Sequence, residues 1–199
     1  MTLTMYLLGA LAAWMPPASV EMRARQESVA SDIASVVEDP SEPPLFKGDD
    51  HRATTGLLLA SLSVMEGGLA KYVDSGECND VKWRGSHKLM LKAGDCDGGR
   101  AYSLWQIHVG TGLLLLPSGG YVVARTAPED AEGTFVGKQE ILSDRANAVR
   151  AALHILRQSF SAGLGMCGYT GERGECPKGK LRLDKATSYA KSVPFVMES

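Results

Sequence analysis

Glu66 is the residue of this 199-residue chain whose placement first suggests chemistry. It closes an apolar run, Leu57-Leu58-Leu59-Ala60-Ser61-Leu62-Ser63-Val64-Met65, and two glycines, Gly67 and Gly68, follow it. Leu62, Leu59 and Leu58 stand four, seven and eight positions before it, so in a helix they share its face. An apolar setting disfavours a charged carboxylate and predicts a raised pKa. A carboxyl group that keeps its proton near neutral pH is what general acid catalysis needs. Downstream, Gly94-Asp95-Cys96-Asp97-Gly98-Gly99 reads as a turn-rich acidic loop. It leads into Tyr102-Ser103-Leu104-Trp105-Gln106-Ile107, a short apolar segment carrying one amide, Gln106.

The elements that must position these groups are mostly helical. Leu3 to Met15 is an apolar run too short to span a bilayer comfortably. It reads in two ways. One is the apolar core of a signal peptide, with Pro16-Pro17-Ala18-Ser19 as cleavage region but no Lys or Arg before it; the other is an ordinary core helix. Ser19 caps a helix running to Val37, with Met22, Val29, Ile33, Val36 and Val37 as its apolar stripe. Pro40, Pro43 and Pro44 make the next segment a loop. Asp49 or Asp50 then caps the helix that ends at Glu66.

Lys71 to Lys92 is mixed. Asp74-Ser75-Gly76 reads as a turn, and the basic stretch Val81 to Lys88, with Trp83, reads as a solvated hairpin rather than a sugar-stacking edge. Leu113 to Pro117 and Gly119-Gly120 read as loop. Ser143 starts another helix, with Val149, Ala152, Leu153, Leu156 and Phe160 inward and His154 on its solvated polar face. The last helix spans about Leu183 to Val193, with Ala186, Tyr189, Ala190 and Val193 inward. Internal repeats and low-complexity tracts are absent from the sequence.

The length suits one domain with one sizeable core, preceded by the apolar segment 1–18. A hydrophobic share of 44% argues against wholesale disorder. The formal net charge of −2 gives no electrostatic case for binding nucleic acid or an anionic membrane. Four cysteines, Cys78, Cys96, Cys167 and Cys176, permit two disulfides. Pairing Cys78 with Cys96 and Cys167 with Cys176 closes the shortest loops; four reduced thiols in a cytosolic chain are the alternative. With no Cys-x-x-Cys or Cys-x-x-His pair, a zinc site is disfavoured.

A helix ending in Glu, followed by a Gly-Leu-Met-Gln or Tyr-Gly-Ile-Leu-Gln-Ile segment, is the signature of the lysozyme-like superfamily. That group includes soluble lytic transglycosylases, goose-type lysozymes and c-type lysozymes. Glu66 and Tyr102-Ser103-Leu104-Trp105-Gln106-Ile107 resemble that signature, and Gly168-Tyr169-Thr170-Gly171 resembles the Tyr-x-Gly segment of the transglycosylases. The resemblance extends from about Arg52 to Tyr189, and implies a mainly helical α+β domain with a small irregular or β-containing lobe.

It also implies cleavage of the β-1,4 bond of peptidoglycan between N-acetylmuramic acid and N-acetylglucosamine. Glu66 would be the acid, Gln106 and Tyr102 would line the sugar site, and Tyr169 would bring a hydroxyl to the reacting sugar. Most glycosidases add a second carboxylate. In c-type lysozymes an Asp directly precedes the Tyr of this segment, where this chain has Ala101. Goose-type lysozymes carry an Asp nine residues before the Gln, a position that Asp97 matches. Lytic transglycosylases manage with one Glu, because the 6-hydroxyl of the substrate attacks and a 1,6-anhydro product forms. Gly67 departs from the Glu-Ser pair usual in both groups.

The expected activity is therefore lytic transglycosylation, with goose-type hydrolysis through Asp97, or a non-catalytic glycan-binding or phage virion protein, as alternatives. No metal or organic cofactor is implied. The implied partners are glycan strands, or an envelope or phage tail assembly, and the implied place is the periplasm, the cell exterior or a virion. Gly174 to Lys180 imitates the start of a phosphate-binding loop, but Leu181 stands where Ser or Thr must reach the magnesium ion, so nucleotide binding is set aside.

Overall fold

The apolar run before Glu66 forms a helix, α3 (His51–Gly67), in which every residue from Thr55 to Ser63 is buried. A helix that is apolar on all sides must be surrounded. In this computed structural model, which describes residues 1–48, 51–76, 81–84, 87–90 and 100–196, it is packed by four other helices. They are α1 (Leu3–Trp14), α2 (Val20–Val37), α6 (Arg145–Ser161) and α8 (Pro177–Ser192).

In the folded chain the N-terminal apolar segment is a helix packed into the core. Leu3, Tyr6, Leu7, Leu8, Ala10 and Leu11 of α1 are buried, and the Tyr6 hydroxyl donates to Val193 O across the molecule at 2.9 Å. Ser19 caps α2 as expected, accepting from the Met22 N–H at 3.1 Å. Gln26, a polar residue on the inner face of α2, is fully buried. Its Nε2 donates to Met15 O at 2.6 Å and to Leu11 O at 3.4 Å, supplying donors to the carbonyls that end α1. Among the described residues no helix is long and apolar enough to cross a membrane.

The β structure is small and antiparallel. β1 (Val81–Arg84) pairs with β2 (His87–Met90), β3 (Ala101–Tyr102) with β4 (Ile107–His108), and β5 (Leu113–Leu115) lies between β6 (Tyr121–Val123) and β7 (Thr134–Val136). β1 and β2 are thus the antiparallel arms of the expected hairpin. Three-residue β5 corrects the loop expected at Leu113 to Pro117. Its residues are all buried, so no in–out alternation marks it as a strand.

Two helix boundaries also differ from expectation. Lys138–Ser143 is a short helix of its own, α5, and Asp144 starts α6 by accepting from the Ala146 N–H at 2.9 Å. The last helix, α8, begins at Pro177, a proline in its first turn, rather than near Leu183. Of its expected inward residues Ala186 is buried and Tyr189 and Ala190 pack against the core, while Val193 is exposed.

His154 corrects the reading of a solvated polar face. It is buried, with Nδ1 2.7 Å from Gly120 O and Nε2 3.5 Å from the carboxylate of Glu42. Arg157 adds a contact to the same carboxylate at 2.7 Å and Arg150 another at 3.4 Å, so the proline-rich loop is bolted to α6 by charge. Burial by itself raises the pKa of Glu42, but the hydrogen bonds from His154 and Arg157 and their charges outweigh it and hold the carboxyl below its ordinary value. A carboxylate depressed in the folded state stabilises the fold above its unfolded pKa of about 4.3, and loses that contribution as pH falls through the folded value. The melting temperature should therefore drop as pH is lowered below about 4. Glu42→Gln should flatten that drop while lowering stability at pH 7, as thermal melts across a pH series would read.

Candidate active site

Glu66 lies in the last turn of α3, half-buried. Two successive left-handed residues, Gly68 (φ +57°) and Leu69 (φ +52°), end the helix immediately afterwards. Their N–H groups return to Val64 O and Ser63 O, which satisfies carbonyls that the helix end would otherwise strand. Gly67 has a separate task. A Cβ built on it would lie 2.7 Å from both Cα and O of Leu104, which is backbone and cannot step aside. The segment carrying Gln106 thus rests directly on the helix that carries Glu66. Any side chain at position 67 would therefore collide with this backbone.

The segment itself is a tight reversal between β3 and β4, whose register pairs Tyr102 with Ile107. Ser103 (φ +63°) and Gln106 (φ +48°) are both left-handed, and between them Leu104 and Trp105 are fully buried. Trp105 Nε1 donates to Leu59 O in the middle of α3 at 2.9 Å. Gln106 donates through both its backbone N–H and its Nε2 to Ser103 O, each at 3.0 Å, and its side chain stays half-exposed at the surface of the turn. Tyr102 is only 7% exposed, and the Lys138 ammonium stands 5.1 Å above its ring centroid, which leaves little of the ring for a sugar.

Tyr169 ends the short helix α7 (Met166–Tyr169) and donates its hydroxyl to Trp105 O at 2.7 Å. Burial holds the phenol well above the usual tyrosine range, the negative charge of Glu66 adds to this, and the positive charge of Arg182 works against it. Tyr169 therefore stays neutral and braces the Gln106 turn through the Trp105 carbonyl. The expected disulfide Cys167–Cys176 is formed, tying α7 to the residue that precedes α8. A nine-residue closure of this kind contributes about 2–3 kcal/mol. Inside the loop, Glu172 accepts from the Lys178 and Gly179 N–H groups at 3.1 and 2.8 Å, so the first turn of α8 is already occupied by a carboxylate of the chain itself.

One neighbour of Glu66 was not anticipated. Arg182 Nε and Nη2 each approach Glu66 Oε1 to 2.6 Å. The expectation of an apolar setting is thereby corrected: the carboxylate meets a cation. Arg182 sits on the buried face of α8, four and seven residues before Ala186 and Tyr189. A charged residue in register with an inward stripe is the signal that would have found it, had the helix been started early enough.

The structure thus brings Glu66, the Gln106 turn and Tyr169 together and leaves Tyr102 largely covered. Asp97, Asp95, Cys78 and Cys96 lie outside the described residues, as do the expected caps Asp49 and Asp50. A cavity of about 610 Å³ near Asp32, Asp74 and Arg145 includes none of the expected site residues. Arg145 there ties α2, the short helix α4 (Lys71–Asp74) and α6 through ion pairs to Asp32 and Asp74. Compared with protein-family models, with curated proteins and with solved structures, the chain matches none.

Proposed function

We propose that this chain is a lysozyme-like lytic transglycosylase that cuts peptidoglycan glycan strands, with Glu66 as acid and then base. The observation that carries the reading is the backbone lock between its two motifs: Leu104 lies on Gly67, one residue after the acid, and Tyr169 holds the same turn through Trp105 O. Three segments far apart in sequence and resembling one family's motifs thus meet at a single helix end.

In the proposed reaction Glu66 gives a proton to the oxygen linking C1 of N-acetylmuramic acid to N-acetylglucosamine, and the C1–O bond breaks. The 6-hydroxyl of the same muramyl residue then bonds to C1, closing the 1,6-anhydro ring, and its proton returns to Glu66. No water is consumed and the carboxyl ends as it began. Gln106, half-exposed on the turn, supports binding of the sugar. Such an enzyme works at the cell envelope, in the periplasm or outside the cell, or in a phage tail. A second reading, a non-catalytic glycan-binding or virion protein with this fold, is favoured by one observation: the carboxylate of Glu66 is already ion-paired.

Digestion of purified sacculi followed by mass analysis of the released ends tests the reading. We expect 1,6-anhydromuramyl ends, one water lighter than hydrolytic ends, and only a modest loss of rate in Asp97→Asn. Reducing ends, together with a collapse of about 10²–10⁴-fold in Asp97→Asn, would assign a goose-type hydrolase instead. No soluble fragment at any pH would favour the binding protein.

A further inference from the structure

We propose that Arg182 is a positioning residue for the acid: it turns Glu66 so that Oε2 is the atom that carries the transferred proton. The inference rests on the reading of Glu66 given above. All three nitrogens of the guanidinium are engaged. Nε and Nη2 hold Oε1 at 2.6 Å each, and Nη1 donates to Lys178 O at 2.8 Å within α8. The backbone of Arg182 is pinned as well, because Ser61 Oγ in α3 donates to Arg182 O at 2.9 Å. The guanidinium side chain is 8% exposed and that of Glu66 21%, so the pair is shielded on the arginine side and open on the glutamate side.

Both contacts fall on one oxygen. Among the described residues Oε2 takes no hydrogen bond, and the proposal makes it the oxygen that faces the substrate. A rigid guanidinium fork sets direction as well as charge, which a flexible ammonium does not. The charge has its own part. Glu66 stands at the C-terminal end of α3, where the helix dipole disfavours negative charge. When Oε2 gives its proton to the glycosidic oxygen, the carboxylate left behind is met by Arg182. When the 6-hydroxyl closes on C1, Oε2 takes the proton back with its direction unchanged. The structure thus assigns Arg182 a role in the transition state that is separate from holding α3 to α8.

The test is steady-state turnover of soluble glycan strands by the full chain carrying Arg182→Ala or Arg182→Lys, with wild type and Glu66→Gln alongside. Arg182→Ala should lose on the order of 10²-fold in kcat with KM little changed, since misplacing a reacting atom by about 1 Å is enough for that. Added methylguanidinium should restore part of the lost rate, which a merely structural role would not allow. Arg182→Lys should stay folded and fall between the two, and it carries the test if Arg182→Ala does not fold. Wild-type kcat in Arg182→Lys, or a loss in Arg182→Ala that follows the unfolded fraction and ignores methylguanidinium, would overturn the inference. Turnover that Glu66→Gln abolishes but Arg182→Ala preserves would also overturn it while leaving the function intact. No turnover by wild type would instead remove the function on which it rests.

Discussion

Glu66→Gln should leave a folded protein that releases no measurable fragments from sacculi. The amide keeps the shape of the side chain and offers Arg182 an oxygen at the place of Oε1, but it has no acidic proton to give. Loss of the general acid is worth about 10²–10⁴-fold in rate. Stability should fall too, because the guanidinium of Arg182 is buried and would lose its counter-charge. Removing one partner of a fully buried pair costs about 3–5 kcal/mol. Glu66 is partly exposed, so water would supply some of what is lost, and about 1–3 kcal/mol is the expected range. Circular dichroism and a denaturant melt would establish the fold, and fragment release from sacculi the activity. Wild-type turnover in this variant would mean that another group supplies the proton.

Gly67→Ser should destabilise the protein by about 3 kcal/mol and, on the proposed function, cost turnover as well. The added Cβ would sit 2.7 Å from Cα and O of Leu104. That backbone has nowhere to go: Leu104 and Trp105 are fully buried, and Trp105 is bonded to Leu59 O. Relief must come by lifting the Gln106 turn off α3, which moves Gln106 away from Glu66. Gly67→Ala should behave alike, showing that volume and not the hydroxyl is responsible. Gly68→Ala is the contrast. Among the described residues, its own chain neighbours aside, no heavy atom lies within 4 Å of a Cβ there, so the positive φ is the expected penalty, at about 1 kcal/mol. Urea melts of the three variants would read the order directly, and a Gly67→Ser protein as stable as wild type would refute the packing.

Local patterns in the sequence were enough for much of the helical frame. Ser19 before an apolar stripe defined α2, the stripe from Val149 to Leu156 defined the buried face of α6, and the run before Glu66 defined α3. The short spacing of Cys167 and Cys176 anticipated their bridge. In each case the determinant is a neighbour within a few residues, and helical period or loop length reports it. What the sequence left undecided depends on partners far along the chain. Periodicity places His154 on the polar face of α6, yet Glu42 and the Gly120 carbonyl close over that face. The three apolar residues of β5 carry no alternation, because both sides of the strand are covered. Gly67 looks like a loss until Leu104 is seen lying on it. The setting of Glu66 shows this most clearly. Its own helix supplies leucines and predicts an apolar wall, but the nearest group is a guanidinium 116 residues away in sequence. Burial creates the demand for a counter-charge at that helix end, and only the docking of α8 on α3 determines which residue meets it.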